Sequence, residues 1–142
     1  MAHQLSLFVE NKPGKLDRIL DIFMDMGMDV KALTIASSDK FGIIKLLVDK
    51  PFKAREMLKQ SGFTVALTEV VVVEISSIPA GLKDITEFFL SRDINIDNAF
   101  GFSFGKDGRA LVIIESEAIP EIKDLLVENN FRVLSDEQIY AL

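Results

Sequence analysis

Apolar and polar residues alternate near the start of the chain, from Leu5 to Glu10. A two-residue period places every second side chain on the same face, so this stretch is predicted to be a β-strand. The next segment has the 3.6-residue period of an amphipathic helix, with apolar residues at Leu16, Ile19, Leu20, Phe23 and Met24. The pattern therefore predicts a strand that leads directly into a helix.

The corner between this strand and this helix contains Asn11, Pro13 and Gly14. Asn11 is suited to cap the turn, Pro13 fits a helix start because its missing N–H is not needed there, and Gly14 lets the backbone approach another group closely. A helix N-terminus has free N–H groups and the positive end of the helix dipole, so it favours a carboxylate or a phosphate. The alternative is an ordinary strand-to-helix turn without a ligand.

The predicted elements follow the order β-α-β-β-α-β, and the same order starts again at Glu69. Pro79 follows Pro13 by 66 positions (79 − 13). At this spacing the apolar residues of two predicted helices match, with Leu16, Ile19 and Phe23 corresponding to Leu82, Ile85 and Phe89. The chain is therefore predicted to be a duplicated unit, with one domain at residues 1–67 and a second at 68–142.

Each half has the element order of a ferredoxin-like unit, in which a four-stranded antiparallel sheet carries two helices on one face. The predicted fold class is therefore α+β. Three stretches of strand are apolar on both faces or carry several rings: Val70–Val73, Leu111–Ile114 and Phe100–Phe104. The uncovered sheet face is therefore predicted to be buried by a second copy of the chain, in a homodimer. The alternative is that the C-terminal residues 138–142 cover part of this face.

The composition excludes several kinds of chemistry. The chain has no cysteine and only one histidine, His3, so disulfides, thiolate catalysis and histidine metal sites are not expected. A net charge of −6 disfavours binding to nucleic acid or to an anionic membrane. No apolar run reaches the about 18 residues of a membrane span. Residues 1–10 lack the features of a signal peptide, so a cytoplasmic protein is expected.

No catalytic arrangement is visible in the sequence. Asp17, Asp21 and Asp25 recur every four residues, which on a helix is typical of a solvated face, and these side chains are expected to point away from the corner. The chain is predicted not to be an enzyme and to need no metal or cofactor. The segment Gly101–Gly105 is similar to the glycine and aromatic pattern of RNA-recognition domains. Because it lies on the second strand and not the third, RNA binding is the minor alternative.

The residues around the first corner resemble a known family. A strand ending in Glu-Asn-Lys-Pro-Gly (Glu10–Gly14), a leucine two residues later and a closing Gly-Met-Asp-Val (Gly27–Val30) are similar to the ACT domain. ACT domains are ligand-binding regulatory modules attached to many enzymes of amino-acid metabolism. The resemblance covers the whole chain as two units, the first most similar to the serine-sensing ACT domain of 3-phosphoglycerate dehydrogenases. In the second unit Pro79 is kept, while Ser77 and Ala80 replace the asparagine and the glycine.

The resemblance implies that the two units pack side by side into an eight-stranded antiparallel sheet with helices on one face. It also implies that amino-acid effectors bind at the seam. The implied ligand-binding residues are Asn11, Pro13 and Gly14 facing Asn95 and Ile96, and reciprocally Ser77, Pro79 and Ala80 facing Asp29 and Val30. The serine-binding units have a histidine two residues before the asparagine, and this chain has Val9 there. That difference disfavours serine and favours a ligand with a less polar side chain.

The chemistry of the corner agrees with an amino-acid ligand. The carboxylate of an α-amino acid needs N–H donors, and its ammonium group needs oxygen acceptors. The helix N-terminus after Gly14 offers donors, and the side-chain oxygens of Asn11 and Asn95 offer acceptors. The predicted function is a non-catalytic regulatory protein that senses a small amino acid. The alternative is a regulatory subunit of a separate enzyme of amino-acid biosynthesis, like the small subunits of acetohydroxyacid synthases.

Overall fold

The computed structural model describes residues 2–104 and 106–142. The strands in these residues are β1 Ala2–Glu10, β2 Val30–Ser38, β3 Phe41–Val48, β4 Thr64–Ile75, β5 Asn98–Ser103, β6 Ala110–Glu115 and β7 Arg132–Val133. The helices are α1 Lys15–Asp25, α2 Pro51–Gln60, α3 Ala80–Ser91, α4 Ile119–Glu128 and α5 Asp136–Tyr140. Among the described residues, none of these helices has both the length and the apolar character needed to cross a membrane.

The chain separates into two compact units. The first unit comprises His3–Thr68 together with Tyr140–Leu142, and the second comprises Glu69–Ile139 together with Ala2. Each unit contains two of the long helices and its own hydrophobic core. Apart from the terminal residues, the boundary between the two units therefore lies between Thr68 and Glu69.

The first unit has the strand order β2-β3-β1-β4, and β3 pairs antiparallel with both β1 and β2. Because side chains alternate along a strand, Leu7 and its cross-strand partner Ile44 point to the same side as Leu5 and Leu46. These residues are buried against the apolar faces of α1 and α2, which contribute Ile19, Phe23, Ala54 and Leu58. One sheet face thus forms the core of this unit, and β2 is its edge strand.

The second unit repeats this plan with the strand order β5-β6-β4, to which β7 is added on β4. All three pairings are antiparallel, and Val73 lies opposite Val112 as Leu7 lies opposite Ile44 in the first unit. The core again combines one sheet face with two helices, and its central side chains are Val71, Val73, Val112, Ile114, Ile85, Phe89, Ile122 and Leu126. The predicted α+β fold with two βαββαβ units is therefore confirmed.

The prediction of eight separate strands is wrong for the described residues, which contain seven. The predicted strands before and after Leu67–Thr68 form one continuous strand, β4. No glycine or proline interrupts the chain there, so the extended backbone continues. Gly62 and Asn130, which follow α2 and α4, have left-handed φ angles of 88° and 67°.

Candidate functional site

The first corner of the chain is a tight turn between the end of β1 at Glu10 and the start of α1 at Lys15. Gly14 precedes the helix with a φ of 88°, a left-handed conformation that glycine adopts without strain. The Arg18 N–H donates to Gly14 O at 3.1 Å, which is the first hydrogen bond of the helix. The amides of residues 15–17 therefore have no acceptor within the helix and point out of its N-terminus.

Asn11 does not cap the helix, so that prediction is wrong: Gly14 occupies the N-cap position, without a side-chain hydrogen bond. Asn11 instead binds the hairpin between β2 and β3. Its backbone N–H donates to Lys40 O at 2.7 Å, and its Nδ2 donates to Asp39 O at 3.1 Å. Ser37 Oγ donates to Asn11 Oδ1 at 3.5 Å. These contacts fix the carboxamide at the corner and leave Oδ1 with a second lone pair.

A cavity of about 260 Å³ lies at this corner, within the first unit. Its lining combines the turn and the helix N-terminus with parts of β1, β2 and β3. The lining residues are Val9, Glu10, Asn11, Lys12, Pro13, Gly14, Lys15, Leu16, Asp17, Ile35, Ser37, Gly42 and Ile44. The cavity therefore combines charged and polar residues of the helix N-terminus with aliphatic side chains.

The floor of the cavity is set by the pairing register of the strands. Gly42 lies opposite Val9 on one side and Ser37 on the other, and Ile35 lies opposite Ile44. These side chains are on the helix-facing side of the sheet. A Cβ atom on Gly42 would lie 3.4 Å from Ser37 Oγ and 3.9 Å from Val9 Cγ2, which are ordinary contacts. The glycine thus leaves open a volume that a methyl group would partly fill.

Two oppositely charged side chains form an ion pair at the rim of the cavity, where Lys12 Nζ lies 2.7 Å from Glu10 Oε2. The hydrogen bond from Lys12, and then its positive charge, lower the pKa of the Glu10 carboxyl. The same contact raises the pKa of Lys12. Both side chains are exposed to solvent, so the pair contributes little to stability.

The acidic row on α1 is only partly as predicted. Asp17, Asp21 and Asp25 are all exposed, which agrees with a solvated face. Asp17, however, lines the corner cavity, so the prediction that it points away from the corner is wrong. Asp17 belongs to the first turn of α1, which follows the corner directly.

Asp29 and Val30 lie at the start of β2 and do not line this cavity. The Asp29 N–H donates to Asp49 Oδ1 at 3.1 Å, and Lys31 Nζ donates to Asp29 Oδ2 at 2.6 Å. The hydrogen bond from Lys31, followed by its charge, lowers the pKa of the Asp29 carboxyl. The Asp29 carboxylate is therefore already bound by a cation of its own unit.

The second corner, which leads into α3, is built differently. Pro79 holds the N-cap position with a φ of −97°, so this corner lacks the left-handed residue of the first. The Gly81 N–H donates to Ser77 O at 2.9 Å, which closes the turn around the exposed Pro79 and Ala80. The glycine of this corner thus lies one residue later than in the first unit, inside the helix.

Asn95 and Ile96 lie shortly before β5, which begins at Asn98. Asn95 Nδ2 donates to Asp97 Oδ1 at 3.0 Å, and Asn95 O accepts from Ser116 Oγ at 2.8 Å. Ile96 packs against the second core. A smaller cavity of about 200 Å³ lies here, and its lining includes Asn95 and Asp97.

The structure thus gathers three predicted residues, Asn11, Pro13 and Gly14, around one cavity of the first unit. The predicted facing of Asn11 and Asn95, and of Ser77 and Asp29, stays a prediction. Sequence reasoning missed the part of the wall that comes from the β2–β3 hairpin: Ile35, Ser37, Gly42 and Ile44. Their contribution depends on strand register, and the only signal was the predicted hairpin itself. The described residues contain no cluster of three or more His, Cys, Asp or Glu placed for a metal ion.

The whole sequence, residues 1–142, matches a family described as an ACT domain pair. The chain belongs to this family. Protein BT0572 from Bacteroides thetaiotaomicron is 30% identical to this ACT domain pair, and its crystal structure superposes with a TM-score of 0.87. That match covers 99% of this chain and 96% of the other. The predicted tandem ACT arrangement is therefore confirmed.

Two more distant structures share the fold. The regulatory subunit of aspartate kinase from Thermus thermophilus, in its ligand-free form, is 17% identical with a TM-score of 0.64, over 89% of this chain and 91% of that one. The corresponding subunit from Thermus flavus is 16% identical with a TM-score of 0.58, over 90% and 92% of the two chains. No protein with a curated description matches this ACT domain pair in sequence.

Proposed function

We propose that this ACT domain pair is a non-catalytic regulatory protein that binds an α-amino acid in the corner cavity of the first unit. The observation that carries the proposal is the combination of groups in one cavity. The first residues of α1, the polar residues Asn11 and Asp17, and several aliphatic residues line a cavity of about 260 Å³. A zwitterion with a short side chain needs these three kinds of surface together.

In the proposed complex the ligand carboxylate accepts hydrogen bonds from the amides of residues 15–17, where the helix dipole also favours a negative charge. The ammonium group donates to Asn11 Oδ1 and to the carboxylate of Asp17. Charge-assisted hydrogen bonds of this kind contribute about 1.5–3 kcal/mol each. Three or four of them, reduced by the cost of association, correspond to an affinity in the micromolar to millimolar range.

A neighbouring ACT unit would complete the cavity with Asn95 and Ile96, as the family resemblance implies. The reciprocal pocket would combine Ser77, Pro79 and Ala80 with Asp29 and Val30. In the side-by-side arrangement that the resemblance implies, these residues meet at a shared seam. The similarity of the first unit to serine-sensing ACT domains supports an amino-acid ligand, although Val9 argues against serine itself.

The protein that responds to the ligand would be a separate enzyme. Two solved structures with this fold are regulatory subunits of aspartate kinase, which supports a regulatory role of this kind. The RNA-binding alternative is less well supported. The guanidinium of Arg109 lies 5.1 Å from the ring centroid of Phe104 and covers one face of this ring, so that face is not open to a nucleic-acid base.

Asn11→Ala is expected to weaken amino-acid binding roughly tenfold, because it removes one acceptor of the ammonium group and the hairpin contact that fixes the corner. Isothermal titration calorimetry with each of the twenty amino acids, on the parent and on the variant, measures this. Asn129→Ala is a matched control, since Asn129 is also an exposed amide bound to one backbone carbonyl, at 2.8 Å, and does not line the cavity. No heat from any amino acid with the parent protein would refute the proposal.

We also propose that the protein is a homodimer, as its apolar sheet faces predict. In the first unit the face turned away from the helices carries Phe8, Phe41 and Ile43, which are 51%, 67% and 36% exposed. The matching register of the two units makes Glu74 the counterpart of Phe8 and Arg109 that of Phe41. Arg109 Nη1 lies 3.3 Å from Glu74 Oε1, so the second unit has an ion pair where the first exposes two rings. The fold therefore does not require rings at these positions, which supports a role for them in an interface.

The double substitution Phe8→Glu with Phe41→Arg gives the first unit the ion pair of the second. We expect it to keep the fold and to raise the dimer dissociation constant roughly tenfold or more, because it removes apolar contact surface. Light scattering over a range of concentrations, with 15.8 kDa as the mass of one chain, measures the change. Met24→Arg on α1, at a 78% exposed position of the same unit, is the control. A parent that stays monomeric at all concentrations would contradict the dimer.

A further inference from the structure

Part of the wall of the corner cavity is aliphatic. Val9, Leu16, Ile35 and Ile44 line it from β1, α1, β2 and β3. Ile44 is almost fully buried in the first core, while Ile35 is half exposed at the edge strand. A side chain that enters the cavity past the rim therefore meets carbon atoms on several sides.

The charged groups of the cavity are confined to the corner and the first helical turn. Glu10 and Lys12 are paired with each other, and Lys15 and Asp17 carry opposite charges on neighbouring positions of the chain. The remaining polar side chains, Asn11 and Ser37, are hydrogen-bonded to each other. A charged or strongly polar ligand side chain against the aliphatic wall would lose water without gaining a partner.

The size of the cavity limits the ligand. Its volume of about 260 Å³ lies below the about 300–1,000 Å³ typical of pockets for drug-sized molecules. The floor at Gly42, between Val9 and Ser37, has room for a methyl group, since a Cβ there would make ordinary contacts with both. The counterpart of Gly42 in the second unit is Ala110, because Ile44 corresponds to Val112. A glycine at this position on the cavity floor is thus found in the first unit and not in the second.

We infer that the ligand of the first unit is an amino acid with a branched aliphatic side chain, which packs over Gly42 against Val9, Ile35 and Ile44. This inference rests on the proposed amino-acid site and specifies its ligand. The rim holds the zwitterion, and the wall selects the side chain by its apolar surface and its branching. Serine and aspartate leave this wall without apolar contact, and lysine would bring its ammonium group against it without a partner.

Titration calorimetry of the parent protein with valine, leucine and isoleucine, and with alanine, serine, aspartate and lysine, tests the inference. The branched amino acids are expected to bind roughly tenfold or more tightly than alanine, because each buried methylene changes the affinity by a factor of about four. The three polar amino acids are expected to bind more weakly than alanine. A polar amino acid as the tightest ligand would overturn the inference.

Two substitutions locate the side-chain pocket. Ile35→Thr is expected to weaken valine binding about fourfold to tenfold, while Leu33→Thr leaves it unchanged. Leu33 is a matched control because it is 43% exposed, against 50% for Ile35, on the same side of the same strand, and does not line the cavity. Gly42→Ala introduces the residue of the second unit and is expected to weaken isoleucine binding more than alanine binding. Equal effects of the two threonine variants, or an equal loss of isoleucine and alanine binding in Gly42→Ala, would overturn the inference.

The outcomes separate this inference from the proposed function. If no amino acid binds the parent protein, the proposed site itself is refuted. If amino acids bind but serine, aspartate or lysine is preferred, the site stands and only the aliphatic side-chain pocket is refuted. Circular dichroism of each variant shows that a loss of binding does not reflect a loss of fold.

Discussion

Phe89→Ala is expected to lower the free energy of unfolding by about 3–5 kcal/mol, the largest effect of a single truncation in the second unit. Phe89 is 1% exposed on α3 and lies in the core formed by β4, β6, α3 and α4. Its ring makes an edge contact with Phe88, with the ring centroids 6.2 Å apart. The substitution removes buried apolar surface and leaves a cavity that the surrounding strands and helices cannot fill.

Urea unfolding followed by circular dichroism measures this loss. Leu90→Ala is the matched control, because Leu90 is the next residue of the same helix and is 77% exposed. It is expected to change the free energy of unfolding by less than about 0.5 kcal/mol. Phe23, the counterpart of Phe89 in the first unit, is 2% exposed and is expected to behave like Phe89. Similar losses for Phe89→Ala and Leu90→Ala would contradict the assigned core.

The helical part of the fold could be predicted from the sequence because helix packing depends on local spacing. The apolar residues at Ile19 and Phe23, and at Ile85 and Phe89, follow the helical period and are among the buried residues of α1 and α3. The repeat spacing then identified the two units without any knowledge of their contacts. Periodicity within a segment is a local property, so it can be read directly from the chain.

The boundaries of the strands were harder to predict. Leu67 and Thr68 were expected to separate two strands, but the extended backbone of β4 continues through them. The C-terminal helix α5 was also missed, although Ser135 and Gln138 form a capping box there. The Ser135 N–H donates to Gln138 Oε1 at 2.9 Å, and the Gln138 N–H donates to Ser135 Oγ at 3.2 Å.

Of the candidate site, the sequence could predict the corner but not the wall. Asn11, Pro13 and Gly14 lie close together in the chain and form a recognisable motif. Ile35 and Gly42 join them through cross-strand pairing, and the register of that pairing is not visible in the sequence. The sequence did suggest a less polar ligand from Val9, which is one of the wall residues.

The two corners contain glycines with different physical roles. Gly14 has a φ of 88° and open space where a Cβ would lie, so its role is conformational. Gly81 is in the first turn of α3 and is not among the residues with positive φ, but a Cβ there would lie 2.6 Å from Ile75 Cβ. That distance is shorter than real carbon contacts allow, and Ile75 Cβ cannot move without its backbone. Gly81 therefore permits α3 to pack closely on β4.

Gly81→Ala is expected to lower the free energy of unfolding by about 1–3 kcal/mol, and Gly81→Val by about 3 kcal/mol or more, because each added methyl group increases the clash with β4. Helix propensity alone predicts the opposite sign for the alanine variant, since alanine favours a helix by up to about 1 kcal/mol over glycine. Urea unfolding of the two variants decides between these effects. A stabilised Gly81→Ala protein would show that α3 and β4 are not in close contact.

At Gly14 the dependence on side-chain size should disappear. Gly14→Ala is expected to cost about 1–2 kcal/mol through its left-handed backbone, whereas Gly14→Asn costs less although asparagine is larger, because asparagine tolerates this conformation. The same urea measurements test this, with Gly81→Ala and Gly81→Asn as the pair in which the larger residue is expected to be worse. If asparagine were worse than alanine at Gly14 as well, crowding rather than backbone conformation would govern the first corner. The opposite rankings of alanine and asparagine at the two positions follow from one observation. The glycine of the first unit precedes its helix, whereas that of the second unit lies one residue later, inside the helix.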